Sequence, residues 1–188
     1  MIESVLIISN SDSSGLSTML KAASIGQIAA IDSCVKASRL IYERHFDLVI
    51  VNSPLKDGTG ERLSREISSR GESQVILLTP SEHFDSAAIA CEREGVFVIA
   101  KPINRTLFWN ALTLVKAAHT RVKKLGLENA KLKSDLEDIK LVSRAKNILI
   151  SQLKMSESDA HKYIEKQAMD TRRTRRAIAE GIIKTYEN

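Results

Sequence analysis

The 188-residue sequence predicts an α/β fold: a five-stranded, doubly wound parallel sheet of the (βα)5 type, followed by a long coiled-coil helix and a small three-helix bundle. Three observations predict it. Five short apolar runs alternate with amphipathic stretches over residues 1–118, neither proline nor a turn cluster interrupts residues 105–150, and three short helical patterns end the chain. We therefore expect a sheet domain at 1–118, a long helix and coiled-coil linker at 104–139, and the bundle at 140–188.

The strand candidates lie at residues 5–8, 27–31, 48–51, 75–78 and 96–99, and the helical stretches between them at 14–23, 33–44, 59–69 and 83–94. Because these strands are apolar on both faces, helices must cover both sides of the sheet. The functional crevice of such a sheet lies outside the carboxyl ends of its strands. The residues found there are Ser9, Asn10, Asn52, Thr79 and the pair Lys101-Pro102.

The segment DLVIVNSPLKDGTG, together with Thr79 and Lys101-Pro102, resembles the receiver domain of bacterial response regulators over residues 4–118. Receivers hold a divalent cation with an acidic pair after the first strand, and they accept a phosphoryl group on an aspartate after the third. Those positions here are Ser9, Asn10 and Asn52. A carboxamide is neither an anionic ligand for Mg²⁺ nor a nucleophile that can form an acyl phosphate, so phosphoryl transfer at this position is excluded.

The sequence therefore predicts a pseudo-receiver whose degenerate phospho-acceptor pocket consists of Ser9, Asn10, Asn52, Thr79 and Lys101. Asp12 and Asp57 lie close in sequence but off the matched positions, and a cation site at either is the weaker alternative. We expect no cofactor and no metal. Regulation should come from a protein partner, a small ligand or oligomerisation.

The stretch after Pro102 predicts one long helix with Asn104 as its N-cap. The residues predicted to dimerise recur at heptad spacing: Val115, Val122, Asn129 and Leu136 at position a, and Ala118, Leu125, Leu132 and Ile139 at position d. Valine at a, leucine at d and a single asparagine at a favour a parallel two-stranded coiled coil in fixed register. The pattern predicts a homodimer, and the alternative is a helix packed on its own domain.

Small and apolar residues at helical spacing predict three short helices, the second of which opens with a capping pattern at Ser156. This region resembles the ANTAR domain of transcription antitermination regulators over residues 138–183. The matches are Ala145-Lys146, Leu149, Ser156, Ala160, Ala168-Met169, Ile178-Ala179 and Ile182. The resemblance implies RNA binding: such proteins hold hairpins of a nascent leader transcript so that polymerase reads through a terminator.

Basic residues support a polyanionic partner independently of that resemblance. Residues 1–118 carry 12 basic and 13 acidic side chains, whereas residues 119–188 carry 16 basic and 10 acidic ones. Guanidinium groups bind phosphate through two hydrogen bonds and stack on unpaired bases, which suits RNA loops. We predict an RNA-binding surface made of Arg144, Lys146, Lys162, Tyr163, Lys166, Arg172, Arg173, Arg175 and Arg176. The alternatives are a solvated charged turn for the arginines and a core position for Tyr163.

Other classes of protein find little support. The apolar runs are too short to span a membrane and no basic leader follows Met1, so we expect a cytoplasmic protein without a membrane partner. The cysteines and histidines lack ligand spacing, and no catalytic triad or phosphate loop is present, so we expect no enzyme. The predicted function is a transcription antiterminator that binds leader-RNA hairpins as a dimer, with a sequestering or ligand-sensing protein as its regulator. The alternatives are a DNA-binding regulator of the same layout and a non-catalytic protein-interaction module.

Overall fold

The computed structural model describes residues 2–186. Within this range one parallel sheet, in the order β2-β1-β3-β4-β5, is formed by strands β1 (Ser4–Ser9), β2 (Gln27–Ile31), β3 (Leu48–Asn52), β4 (Gln74–Pro80) and β5 (Phe97–Lys101). The helices are α1 (Ser14–Ala22), α2 (Cys34–Glu43), α3 (Glu61–Ser69), α4 (Phe84–Cys91), α5 (Arg105–Leu153), α6 (Glu157–Thr171) and α7 (Arg175–Tyr186). The chain separates into two compact units, with the boundary between Lys123 and Lys124 inside α5.

The first unit has an apolar core on each side of the sheet, which confirms the predicted (βα)5 fold. Alternate side chains of β1 point to opposite faces, so Leu6 and Ile8 join one core cluster and Val5 and Ile7 the other. Helices α2, α3 and α4 cover the first face, and α1 and α5 cover the second. The strand pairs continue past the apolar runs, as in the pairing of Pro80 with Lys101, which is why β4 and β5 end later than the sequence predicts.

Gly60 fixes the path of the chain between β3 and α3. Its backbone is left-handed, with φ of 76°, and it is the N-cap of α3. A Cβ at this position would collide with the side chain of Val51. Glycine is therefore required here, and it holds this loop against the strand that ends at Asn52.

The first part of α5 belongs to the core of the sheet domain. Asn104 caps the helix as predicted, since its Oδ1 accepts a hydrogen bond of 2.7 Å from Leu107 N. Phe108, Leu112 and Val115 recur at spacings of four and three residues and are fully buried against the sheet. Val115 was predicted to dimerise, and this assignment is wrong: its side chain is already covered by its own domain, and Ala118, one turn further on, is half-buried.

The second unit contains the predicted three-helix bundle, but its first helix is the end of α5, which runs without a break to Leu153. Ser156 caps α6 by accepting a hydrogen bond of 3.1 Å from Asp159 N. Ala145, Leu149, Ala160, Ile164 and Ala179 form the buried core of this unit. Small alanines at the helix contacts let the three helices approach closely.

Candidate functional site

The pocket at the carboxyl ends of the strands is closed by hydrogen bonds. The register that pairs β1 with β3 sets Ser9 beside Asn52. Asn52 Nδ2 donates to Ser9 Oγ at 3.0 Å and to Ser11 Oγ at 3.3 Å. Lys101 Nζ donates to Asn52 Oδ1 at 3.1 Å and to the carbonyl oxygen of Ser53. The carboxamide of Asn52 therefore has partners at both its donor and its acceptor.

Three of the five predicted pocket residues, Ser9, Asn52 and Lys101, are joined in this network. Thr79 is buried at the end of β4, whereas Asn10 is exposed beside the pocket. None of the five has a carboxylate, and burial lowers the pKa of Lys101 without an anionic neighbour to oppose it. The donor set is therefore unsuited to Mg²⁺, which takes anionic oxygen ligands in receivers.

The two nearby aspartates accept hydrogen bonds from residues at the starts of helices. Asp12 accepts hydrogen bonds from Ser14 N at 2.9 Å and Ser14 Oγ at 2.6 Å. Asp57 binds the first turn of α2 by accepting from Cys34 N, Ser33 Oγ and Val35 N. These bonds hold the pKa of Asp57 well below its usual range. Both carboxylates thus accept hydrogen bonds from backbone N–H groups at helix starts, which have no partner within the helix. The helix dipole also favours a negative charge there.

In the second unit, several of the predicted RNA-binding cations are ion-paired. Lys146 Nζ lies 3.0 Å from Glu157 Oε1, and Arg175 Nη1 lies 3.3 Å from Glu165 Oε1. Arg176 is bound more firmly, with Nη1 at 2.8 Å from Asp138 Oδ1 and Nε at 2.9 Å from Glu180 Oε1. These bonds raise the pKa of Arg176. Its guanidinium links α7 to α5, which is a structural contact that the basic run did not reveal.

Four other predicted cations, Lys162, Lys166, Arg172 and Arg173, are exposed, and within residues 2–186 the structure gives none of them an ion pair. Lys162 and Lys166 are four residues apart on one face of α6. Arg172 ends that helix in a left-handed conformation, with φ of 52° and ψ of 39°, and Arg173 follows it. The turn between α6 and α7 thus presents two adjacent guanidinium groups to solvent.

The remaining predicted RNA contacts are also at the surface. Arg144 is exposed on α5. Tyr163, predicted both as an RNA contact and alternatively as a core residue, is 38% exposed and lies outside the apolar cluster of the bundle. Its phenol ring is therefore accessible to a ligand.

An apolar stripe on α5 has no partner within the described chain. The side chains that follow Val115 and Ala118 in the heptad pattern are between 46% and 65% exposed: Val122, Leu125, Leu132, Leu136 and Ile139. Asn129 is exposed in the same stripe. Single exposed apolar residues are ordinary, whereas a row of them at heptad spacing is typical of helices that pair.

Each of the two units matches the model of a known protein family. The model of the response regulator receiver domain matches residues 5–113, which is more than half of the chain, and the model of the ANTAR domain matches residues 130–183. The chain is an ANTAR response regulator. The receiver and ANTAR resemblances seen in the sequence are thereby confirmed, and the family is regulatory.

This ANTAR response regulator is similar to the transcriptional regulatory protein PdtaR of Mycobacterium tuberculosis. The two are 31% identical over 139 residues, which cover 74% of this chain and 68% of PdtaR, in both strain CDC 1551 / Oshkosh and strain ATCC 25618 / H37Rv. The ANTAR response regulator is therefore a homologue of a transcriptional regulator. No helix within residues 2–186 combines the length and apolar character needed to cross a bilayer.

Solved receiver structures share the fold of the first unit. The signal receiver domain of an HD domain-containing protein from Pseudomonas fluorescens Pf-5 aligns with a TM-score of 0.58 at 19% identity, over 65% of this chain and 93% of that one. A receiver domain protein from Clostridium thermocellum aligns with a TM-score of 0.56 at 22% identity, over 66% of this chain and 99% of that one. At these identities the ANTAR response regulator shares the fold alone with them.

Proposed function

We propose that this ANTAR response regulator is a transcription antiterminator that binds hairpins of nascent leader RNA as a homodimer, under control that does not involve phosphorylation. The observation that carries the proposal is the exposed basic surface formed by Lys162, Lys166, Arg172 and Arg173. Its left-handed residue, Arg172, costs stability, because a non-glycine residue in this conformation is strained by about 1–2 kcal/mol.

A bound polyanion removes the repulsion between these cations. Arginines in an exposed turn suit the splayed bases and phosphates of an RNA loop better than the regular groove of a duplex. We therefore assign phosphate contacts to Lys162, Lys166, Arg172 and Arg173, with Tyr163 as the stacking residue. Arg176, predicted as a contact from the sequence, is given a structural role instead because two carboxylates already bind it.

The homodimer is supported by the charges beside the apolar stripe of α5. In a parallel pair with Leu132 and Leu136 in the seam, Glu128 of each copy faces Lys133 of the other, and Asp135 faces Lys140. Both pairs are attractive. An antiparallel pair would instead oppose lysine to lysine and carboxylate to carboxylate. The stripe therefore suits a second, parallel copy of the same chain.

Independence from phosphorylation is supported by the Asn52 network. The positions that would provide a cation ligand and a nucleophile are occupied by a hydroxyl and a carboxamide, which bind each other. Control must then act through contacts of the receiver surface, with a sequestering or ligand-sensing protein as the partner we propose.

The test is a competition experiment with the full-length protein at physiological salt. The probe is a labelled RNA stem-loop selected from a pool of hairpins with randomised loops. The competitors are the same stem-loop without label, unrelated duplex DNA and a single strand of the same RNA composition. We expect the unlabelled stem-loop to displace the probe, and duplex DNA and the single strand not to. Arg172→Ala with Arg173→Ala should weaken binding at least tenfold by removing two phosphate contacts.

The matched control is Arg93→Ala with Arg105→Ala, which removes the same charge from exposed arginines of the receiver unit. It should leave RNA affinity unchanged. Preferential binding of duplex DNA would support the DNA-binding alternative. Absence of nucleic-acid binding at every salt concentration would support the protein-interaction module, and either result would overturn the proposal.

A further inference from the structure

An open pocket of about 820 Å³ lies within the second unit, beside the basic turn. It is lined by the end of α5, by α6 and by the turn that leads into α7. Its volume falls in the range of pockets that hold small organic groups. Its lining includes Arg173 of the proposed phosphate contacts and Ile139 of the apolar stripe of α5.

The lining combines apolar surface with polar edges. Val142 is half-buried in it, and the flexible thioether of Met169 is 78% exposed. Ser143 adds an exposed hydroxyl from α5. A nucleobase has the complementary character, because its faces are apolar and polarisable while its edges carry hydrogen-bonding groups.

The rim of the pocket carries charges of both signs, with an excess of basic side chains. Lys146, Arg175 and Arg176 line the pocket with their charges already paired to carboxylates. Arg173 also lines it, and the structure gives this guanidinium no ion pair within residues 2–186. Lys166 lies three residues before Met169 on α6, which brings a second unpaired cation to the same face. Asp135 and Asp138 also line the pocket, so its basic side chains outnumber its carboxylates by four to two. Arg173 is the point at which a phosphate can bind, and the apolar part of the lining accepts a ring.

We propose that this pocket receives one unstacked base of the RNA loop, with the base against Met169 and Val142 and its phosphate on Arg173. The inference rests on the proposed function and adds a base-binding site to it. Phosphate contacts alone hold any RNA, whereas a pocket that must be filled by an extruded base distinguishes an open loop from a duplex.

The test couples a change in the protein to a change in the RNA. Ser143→Phe fills the pocket without altering charge, and Ser158→Phe is the matched control at an exposed position of α6 outside it. The probe is the stem-loop selected with the wild-type full-length protein. Each loop nucleotide is replaced in turn by an abasic residue, and affinity is measured for all three proteins.

With the wild-type and Ser158→Phe proteins, we expect one abasic position to lower affinity about tenfold, which is the scale of a stacked base. With Ser143→Phe the same RNA change should cost less than about twofold, because the base can no longer enter. Met169→Ala, which truncates an exposed side chain, should reduce the abasic penalty in the same direction without risk to the core.

An abasic penalty that is equal in all the proteins would overturn the pocket while leaving the proposed function intact. Failure of the wild-type protein to select any hairpin would overturn the proposed function itself. Sedimentation of Ser143→Phe provides the last discriminating result: a change in self-association with unaltered RNA binding would show that a second copy of the chain, and not a base, covers the pocket.

Discussion

Arg172 is the residue at which we expect binding and stability to conflict. Its left-handed backbone would suit glycine, which adopts this conformation without strain. We expect Arg172→Gly to stabilise the second unit by about 0.5 kcal/mol. Relief of about 1–2 kcal/mol of strain exceeds the extra chain entropy of glycine, which is about 0.5–1 kcal/mol. Native-state hydrogen exchange of the α6 and α7 amides would measure this change.

The same substitution should weaken RNA binding and lower the slope of log affinity against log salt by about one. Lys154→Gly is the matched control, since Lys154 is also basic and left-handed, with φ of 56°, but is not part of the proposed basic surface. It should gain stability and retain full RNA affinity. A parallel loss of binding in both variants would contradict the role of Arg172.

Conclusions that depend on the chemistry of a single residue could be drawn from the sequence, whereas contacts between side chains distant in the chain could not. The carboxamide at position 52 excludes an acyl phosphate wherever its side chain points. The structural role of Arg176 depends on Asp138, which lies 38 positions away, and sequence spacing contains no signal of that contact. Only its pairing with Glu180 follows the four-residue spacing that marks helical ion pairs.

Helix α5 combines two kinds of surface that one heptad pattern does not separate. Val115 fits the heptad, yet it is also four-and-three spaced with Phe108 and Leu112, and the sheet covers it. From Val122 onward the same pattern is exposed. The end of α5 also serves as the first helix of the bundle, because neither glycine nor proline separates the linker from the ANTAR region.

We expect the charges beside the stripe of α5 to determine self-association. Lys133→Glu with Lys140→Glu turns every attractive pair of the parallel dimer into a repulsive one, and should raise its dissociation constant at least tenfold. Adding Glu128→Lys and Asp135→Lys reverses both partners and should restore the dimer. Sedimentation equilibrium at micromolar concentration measures both changes. A wild-type monomer, or a charge reversal without effect, would contradict the coiled coil.

At the scale of the whole molecule, the fold class followed from the sequence because two signals are strong: the short apolar runs of the strands and the spacing of three to four residues between apolar positions in the helices. Strand runs such as Val75 to Leu78 are buried on both faces, which left a parallel sheet as the consistent arrangement. The pocket beside Met169 could not be foreseen, since it depends on how the three helices of the second unit pack. Its signal in the sequence is slight: a thioether placed where the helical pattern does not require an inward residue.

The central claim is that RNA binding at one end of this chain is independent of phosphate chemistry at the other. It is tested most directly by measuring the affinity of the full-length protein for the selected hairpin before and after incubation with acetyl phosphate and Mg²⁺, with intact mass recorded on the same samples. We expect tight, salt-sensitive binding, an unchanged affinity and an unchanged mass. A phosphorylated product whose RNA affinity differs from that of the untreated protein would contradict the account.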